Sequence, residues 1–161
     1  MSQPGEWDDE VGRANLLFHE GDLQGAEEAY RRADEAGSGE AALFLGVLLR
    51  KKGDVAGAED AYRRSEQRGD PRGSCNLAAL LEDCGDLDGA EAAYRKADSA
   101  GFAGGSYGLG QILYARGDIP GSIAANRRAD ELGDADGSFN LGVLLEKTND
   151  IVGAEARSFA K

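Results

Sequence analysis

The sequence contains little of the chemistry on which most enzymes depend. Its 161 residues include one histidine, His19, and two cysteines, Cys75 and Cys84. A single histidine leaves little basis for a Ser–His or Cys–His pair, and the cysteines do not match any zinc-site spacing. Carboxylates are abundant, but helix caps and ion pairs explain their positions. We therefore expect no enzyme activity, no metal site and no cofactor.

Long apolar segments and long basic runs are also missing. No apolar stretch approaches the ~20 residues that cross a bilayer, and the N-terminus has no basic segment followed by an apolar core. The longest basic run is Arg50-Lys51-Lys52, and the formal net charge is −12. Because an acidic surface repels phosphate groups, we expect neither a nucleic-acid partner nor a membrane partner.

The two cysteines indicate a reducing compartment. Cys75 and Cys84 lie nine residues apart on one predicted helix, and at 1.5 Å rise per residue they are separated by ~13 Å, too far for a disulfide. We interpret them as reduced, mostly buried residues of a cytoplasmic protein. The heavy use of Arg, Gly, Ala and Asp points to a GC-rich bacterial source.

Glycine, in contrast, is plentiful at 24 residues, and much of it recurs at fixed positions. A unit of 32 residues repeats without insertions, beginning at Gly21, Gly53, Gly85 and Gly117. A fixed period of this length is typical of stacked helical repeats. We expect a single domain over residues 1–161. It comprises an N-terminal half repeat (8–20), the four full copies, and a C-terminal partial repeat or capping helix (149–161).

Each unit is predicted to form two helices. The second helix begins at an Asp, which can accept backbone N–H groups at a helix start. The helices end at Gly residues, or at Asn149 in the last copy, because these residue types adopt the left-handed conformation most easily. The predicted starts are Asp22, Asp54, Asp86, Asp118 and Asp150. The predicted ends are Gly21, Gly37, Gly53, Gly69, Gly85, Gly101, Gly117, Gly133 and Asn149.

Apolar residues at helical spacing predict how the two helices pack. Leu45, Leu48 and Leu49 form a stripe that recurs in the following copies. Small residues and one aromatic, Tyr30 in the first copy, face this stripe, so that the helices approach closely. Glycines within the first helices are predicted to mark close helix contacts; they are Gly46, Gly110 and Gly142.

The other face of the second helices carries acid–base pairs four residues apart, which stabilise a solvated helix surface by ~0.2–0.5 kcal/mol each. The predicted pairs are Glu27–Arg31, Glu28–Arg32, Glu59–Arg63, Asp60–Arg64 and Glu91–Arg95.

Taken together, these positions resemble the tetratricopeptide repeat. The resemblance rests on Leu45-Gly46 and its counterparts, the Gly-Asp between helices, and Ala26, Tyr30 and Ala33 with theirs. The segments after each second helix are more similar to Sel1-like repeats. The family's usual length is 34 residues, so the joint between units is two residues shorter here. The resemblance implies an all-α fold: a right-handed α–α superhelix, or solenoid, of stacked antiparallel helix pairs with about ten helices.

The resemblance also implies a function, because such proteins generally bind a peptide or a partner segment in a concave groove lined by first helices. We expect a protein–protein interaction scaffold. By the repeat pattern, the lining residues would be Leu43, Val47, Arg50, Cys75, Asn76, Ala79, Asp83, Tyr107, Gln111, Tyr114, Phe139, Asn140, Val143, Glu146 and Lys147.

Two other functions stay open. The array could self-associate through its terminal helices as a structural module, or it could be the regulatory repeat domain of a larger enzyme. One position also departs from the pattern: Asn126 stands where Tyr30, Tyr62 and Tyr94 stand in the other copies. A buried Asn without partners costs about 1–3 kcal/mol. We interpret this position as sequence drift, a local weak point or a second contact site.

Overall fold

The structure, a computed structural model, describes the backbone of residues 6–159 and the side chains of residues 9–149. Over that range the chain is all-α, without a strand, which confirms the predicted fold class. The helices are α1 (Glu6–Glu20), α2 (Leu23–Glu35), α3 (Gly39–Lys52), α4 (Val55–Gln67), α5 (Pro71–Asp83), α6 (Leu87–Ser99), α7 (Ala103–Ala115), α8 (Ile119–Glu131) and α9 (Ala135–Phe159). Odd-numbered helices are the first helices of the pairs, and even-numbered helices are the second.

The contacts group the chain into two compact units, Met1–Ala90 and Glu91–Lys161. Consecutive helices pack against each other in the first unit, from α1 to α5. In the second unit, α7 packs on α8, and α9 packs on both.

The predicted helix starts and ends are mostly confirmed. The side chains of Asp22, Asp54, Asp86 and Asp118 each accept a hydrogen bond from the backbone N–H three residues later, at 2.9–3.0 Å. The predicted terminal glycines all have positive φ, for example 83° at Gly53. The prediction from Asp150 concerns a side chain outside the described residues.

The last helix differs from the prediction at Asn149. We expected the chain to leave the helix there and to begin a new helix at Asp150, but α9 runs without interruption through this point. No described residue other than glycine has positive φ, and Asn has no need to leave the right-handed helical conformation. The described part of the chain therefore has nine helices where about ten were expected.

The core consists of the predicted apolar stripes and small residues. Leu45, Leu48 and Tyr62 are at most 1% exposed, and Tyr30 is 2% exposed. In the last copy the stripe is weaker, because Leu145 is 38% exposed although Leu144 is buried. The core of each described pair is therefore built as the repeat pattern predicts, with one exposed exception in α9.

Close helix contact explains two of the three mid-helix glycines. A Cβ at Gly46 would lie 2.5 Å from the Tyr62 ring, and one at Gly110 would lie 2.5 Å from Asn126 Nδ2. A Cβ at Gly142 would meet no atom within 4 Å. The close-contact explanation is thus wrong for Gly142.

Alanine substitutions at two of these glycines are expected to have opposite effects. Gly46→Ala should lower the free energy of unfolding by about 1–2 kcal/mol, because the new methyl group displaces the Tyr62 ring. Gly142→Ala should raise it by about 0.5–1 kcal/mol, because alanine favours the helix and meets open space. Urea unfolding followed by circular dichroism measures both changes. Equal effects of the two substitutions would contradict the assigned packing.

The charged face follows the prediction in part. The pairs Glu27–Arg31, Glu59–Arg63 and Glu91–Arg95 form at 2.8, 2.6 and 2.6 Å. The predictions for Glu28–Arg32 and Asp60–Arg64 are wrong, because both arginines bond to other helices. Arg32 donates to Glu10 of α1 at 2.6 Å, and Arg64 donates to Asp34 of α2 at 2.7 Å.

Asp34 forms a buried ion cluster that links two helix pairs. Its side chain is buried, and it accepts hydrogen bonds from the guanidinium groups of Arg64 and Arg68. In the second unit Asp98 accepts from Arg128 at 2.7 Å in the same way. Burial alone would raise the pKa of both carboxyl groups, but the arginine hydrogen bonds outweigh it and hold each pKa below its ordinary value.

This lowered pKa predicts a stability change with pH. Because the folded-state pKa of Asp34 is below the unfolded value, its contribution is fully present above about pH 4 and is lost as the pH falls through the folded pKa. Asp34→Asn should lower the free energy of unfolding at pH 7 by about 1 kcal/mol. The difference from wild type should shrink in acid. The exposed Asp60→Asn is the control, and a difference that persists unchanged at low pH would refute the assignment.

Candidate functional site

The predicted binding residues of the first unit are only partly accessible. Val47 is 38% exposed, but Leu43 is 4% exposed, so the prediction that Leu43 lines a binding face is wrong. Its side chain belongs to the buried core. Arg50 and Asp83 are exposed and form an ion pair with each other. The half-buried residues of this set are Cys75, Asn76 and Ala79.

The cysteines differ from the expectation that both are mostly buried. Cys75 is half-buried, and burial raises the pKa of its thiol to about 11. Cys84 is exposed and follows the last residue of α5. At neutral pH the Cys75 thiol is therefore protonated and weakly nucleophilic.

The second unit presents more of its predicted residues at the surface. Phe139 is 72% exposed and Tyr114 is 46% exposed, which are high values for aromatic side chains. The remaining exposed members are Gln111, Glu146 and Lys147, and the half-buried members are Tyr107, Asn140 and Val143.

A cavity of about 390 Å³ lies between α7, α8 and α9. This volume falls within the ~300–1,000 Å³ of typical ligand sites. Several predicted binding residues line it, whereas Tyr107, Phe139 and Glu146 do not. The lining consists of Gly110, Gln111 and Tyr114 from α7, Ser122 and Asn126 from α8, and Asn140, Val143, Leu144 and Lys147 from α9.

Two buried polar side chains of α8 lie in this lining. Ser122 donates from its hydroxyl to the Gly110 carbonyl at 2.8 Å. Asn126 donates from Nδ2 to the Ser122 carbonyl at 2.9 Å. Asn126 is 1% exposed, and its Oδ1 has no hydrogen-bond partner among the described residues. The buried Asn126 amide in the wall of the cavity therefore has an unsatisfied acceptor, which is a costly arrangement.

The first copy shows what normally fills this place. Tyr30, three periods before Asn126, stacks on Phe44 with 5.8 Å between ring centroids and donates to Asn15 Oδ1 at 2.6 Å. The positions equivalent to Phe44 and Asn15 are Asn140 and Gln111, which both line the cavity. The cavity is thus lined by the positions that, in the first copy, hold a tyrosine and the two residues it contacts.

The edge of the cavity carries one cation. Lys147 Nζ lies 3.3 Å from the Tyr114 hydroxyl and 5.6 Å from the centre of its ring. The contact holds an aromatic residue of α7 beside a cation of α9 on the exposed edge.

A second, smaller cavity of about 270 Å³ surrounds the Asp34 cluster. It is lined by Arg31, Asp34, Glu35, Arg64 and Arg68. Its central carboxylate accepts hydrogen bonds from two arginines. We therefore interpret the Asp34 cluster as a stabilising contact between helices and not as a binding site. The pairing of charges four residues apart did not predict this cluster, because its acid and its arginines lie on different helices. The signal was an Asp followed 30 residues later by an Arg, as in Asp34–Arg64 and Asp98–Arg128.

No group of three or more His, Cys, Asp or Glu side chains within the described residues could hold a metal ion. None of the helices in that range combines the length and apolar character needed to cross a bilayer.

Comparison with protein families identifies the repeat. Two family models, both described as tetratricopeptide repeat, match residues 12–74 and 71–100, and together they span more than half of the chain. The chain belongs to the tetratricopeptide repeat family. The α7–α9 cavity lies C-terminal to the matched segments, in the part of the chain where the 32-residue repeat continues. Comparison with curated protein sequences gives no match.

Solved structures share the fold of this tetratricopeptide repeat protein. MamA is 20% identical with a TM-score of 0.64, covering 81% of this chain and 80% of its own. The protein c5321, a protective antigen of uropathogenic Escherichia coli strains with an SLR fold, is 23% identical with a TM-score of 0.75. That match covers 89% of this chain but 34% of c5321. BtubC (BKLC) from P. vanneervenii is 19% identical with a TM-score of 0.65, covering 89% and 73%. Identities this low show the fold alone.

Proposed function

We propose that this protein is a scaffold that binds a segment of a partner protein on the first helices α7 and α9 of its second unit. Tetratricopeptide repeats generally mediate protein–protein interaction, so the family supports the general class. The observation that carries the site is the cavity between α7, α8 and α9, bordered by exposed Tyr114.

The chemistry of this surface suits a protein segment. Tyr114 and Val143 offer apolar area, and aromatic residues contribute a large share of the energy at protein interfaces. Gln111 and Asn140 present side-chain amides, which both donate and accept hydrogen bonds and can therefore pair with peptide backbone. Lys147 adds one positive charge at the edge. Apolar anchors with a few polar groups are typical of such interfaces.

Selection of peptides from a displayed library against the full chain tests this proposal. We expect selected peptides to bind, and Tyr114→Ala to weaken their affinity by about tenfold or more. Leu132→Ala is the matched control, because Leu132 is equally exposed, at 46%, but does not line the cavity. The affinity of Leu132→Ala for the selected peptides should match that of the wild-type protein. Failure to select any peptide, or equal losses in both variants, would reject the proposed surface.

A further inference from the structure

We propose that the α7–α9 cavity receives a tyrosine side chain of the bound partner, whose hydroxyl donates a hydrogen bond to Asn126 Oδ1. This inference rests on the proposed function and specifies the partner residue that the surface selects.

The unsatisfied acceptor in the cavity wall favours a ligand that donates a hydrogen bond. Asn126 Nδ2 already donates to the Ser122 carbonyl, and the Ser122 hydroxyl already donates to the Gly110 carbonyl. These bonds fix the orientation of the Asn126 amide, so that Oδ1 is the atom left without a partner. An acceptor in a buried place is matched by a donor, whereas a carboxylate or a phosphate would add a second acceptor.

The apolar walls of the cavity favour a ligand whose donor group is attached to an apolar side chain. Val143, Leu144 and Tyr114 supply hydrophobic surface between the polar base and solvent. Gly110 lets the α7 backbone lie close to the Asn126 side chain, as Gly46 lets the α3 backbone lie close to the Tyr62 ring. An aromatic ring therefore packs against this kind of surface elsewhere in the same chain. A phenol combines a flat apolar body with a hydroxyl donor at its end, and so meets both requirements.

Comparison of the repeats indicates that a side chain of the size of tyrosine fits the cavity. Tyr30 and Tyr62 stand at the positions equivalent to Asn126, and their side chains are 2% and 0% exposed. Replacement of that tyrosine by the shorter Asn126 leaves about 390 Å³ open at the surface of the second unit. An incoming tyrosine would restore the missing ring from the partner's side, with its hydroxyl directed inward.

The test uses p-cresol, which is the tyrosine side chain, and toluene, which lacks the hydroxyl. Each is titrated into the full, ¹⁵N-labelled chain while amide chemical shifts are recorded. We expect p-cresol to shift the amides of Gly110, Gln111 and Asn140, and to bind about tenfold or more tightly than toluene, since one hydrogen bond to a buried group separates the two.

Two variants make the outcome specific. Asn126→Leu removes the acceptor at similar volume and should abolish the preference for p-cresol over toluene. Asn126→Tyr fills the cavity from within and should abolish binding of both. Absence of any shift at the cavity amides, or equal binding of p-cresol and toluene to wild type, would overturn the inference.

The peptides selected above separate this inference from the proposed function. Peptides that bind this surface without needing a tyrosine would overturn the inference and leave the proposed function in place. Binding of p-cresol without any peptide ligand would reject the proposed function while supporting the preference of the cavity for a phenol.

Discussion

Replacing Tyr62 with alanine is expected to lower the free energy of unfolding by about 3–5 kcal/mol. The Tyr62 side chain is 0% exposed, and its ring lies against the α3 backbone at Gly46. Burial raises the pKa of its hydroxyl, although the positive charge of Arg50 opposes this effect. Removing the ring would therefore leave a cavity between two helices.

Chemical unfolding followed by circular dichroism measures this loss. Tyr114→Ala removes the same side chain from a position that is 46% exposed, so we expect a change of about 0.5 kcal/mol or less in this control. A comparable loss in both variants would show that the buried tyrosines do not hold the helix pairs together.

Replacing Asn126 with tyrosine is expected to stabilise the protein by about 2 kcal/mol, which combines cavity filling with removal of an unsatisfied acceptor. The new ring would occupy the position that Tyr30 and Tyr62 occupy in the first unit. Its hydroxyl would lie near Gln111, which is equivalent to the Asn15 that accepts from Tyr30.

Thermal unfolding tests this gain, and for a chain of this size the melting temperature should rise by about 4–8 °C. Gln111→Tyr is the control, because it adds the same side chain at an exposed position of the same cavity and should change the melting temperature little. An unchanged or lower melting temperature for Asn126→Tyr would refute the view of this position as a weak point.

The features that could be predicted from sequence are local and repeated. An Asp cap bonds to the N–H three residues later, and a terminal glycine adopts positive φ wherever it recurs, so each copy confirms the others. Asn149 shows the limit of this reasoning. Asn tolerates the left-handed conformation but does not require it, and α9 continues through it.

Contacts between residues that lie far apart in the sequence could not be predicted in the same way. Arg64 had an acid four residues away, Asp60, and another 30 residues away, Asp34. It bonds to Asp34, because a buried carboxylate needs a partner more than an exposed one does. Leu43 likewise stands at a position of the predicted face but lies in the core.

The cavity is an intermediate case. The repeat pattern marked Asn126 as the departure from tyrosine and placed Gln111, Tyr114 and Asn140 on one face. It could not predict that Asn126 Oδ1 lacks a partner, or that α7, α8 and α9 leave an open volume around it, because both depend on how three helices pack.

The most direct test of the binding site is the affinity of a selected peptide for wild type and for Asn126→Tyr. We expect the variant, although more stable, to bind that peptide about tenfold or more weakly, because its own tyrosine fills the cavity. Equal affinity for the two proteins would contradict the assignment of the α7–α9 cavity as the site where the partner is recognised.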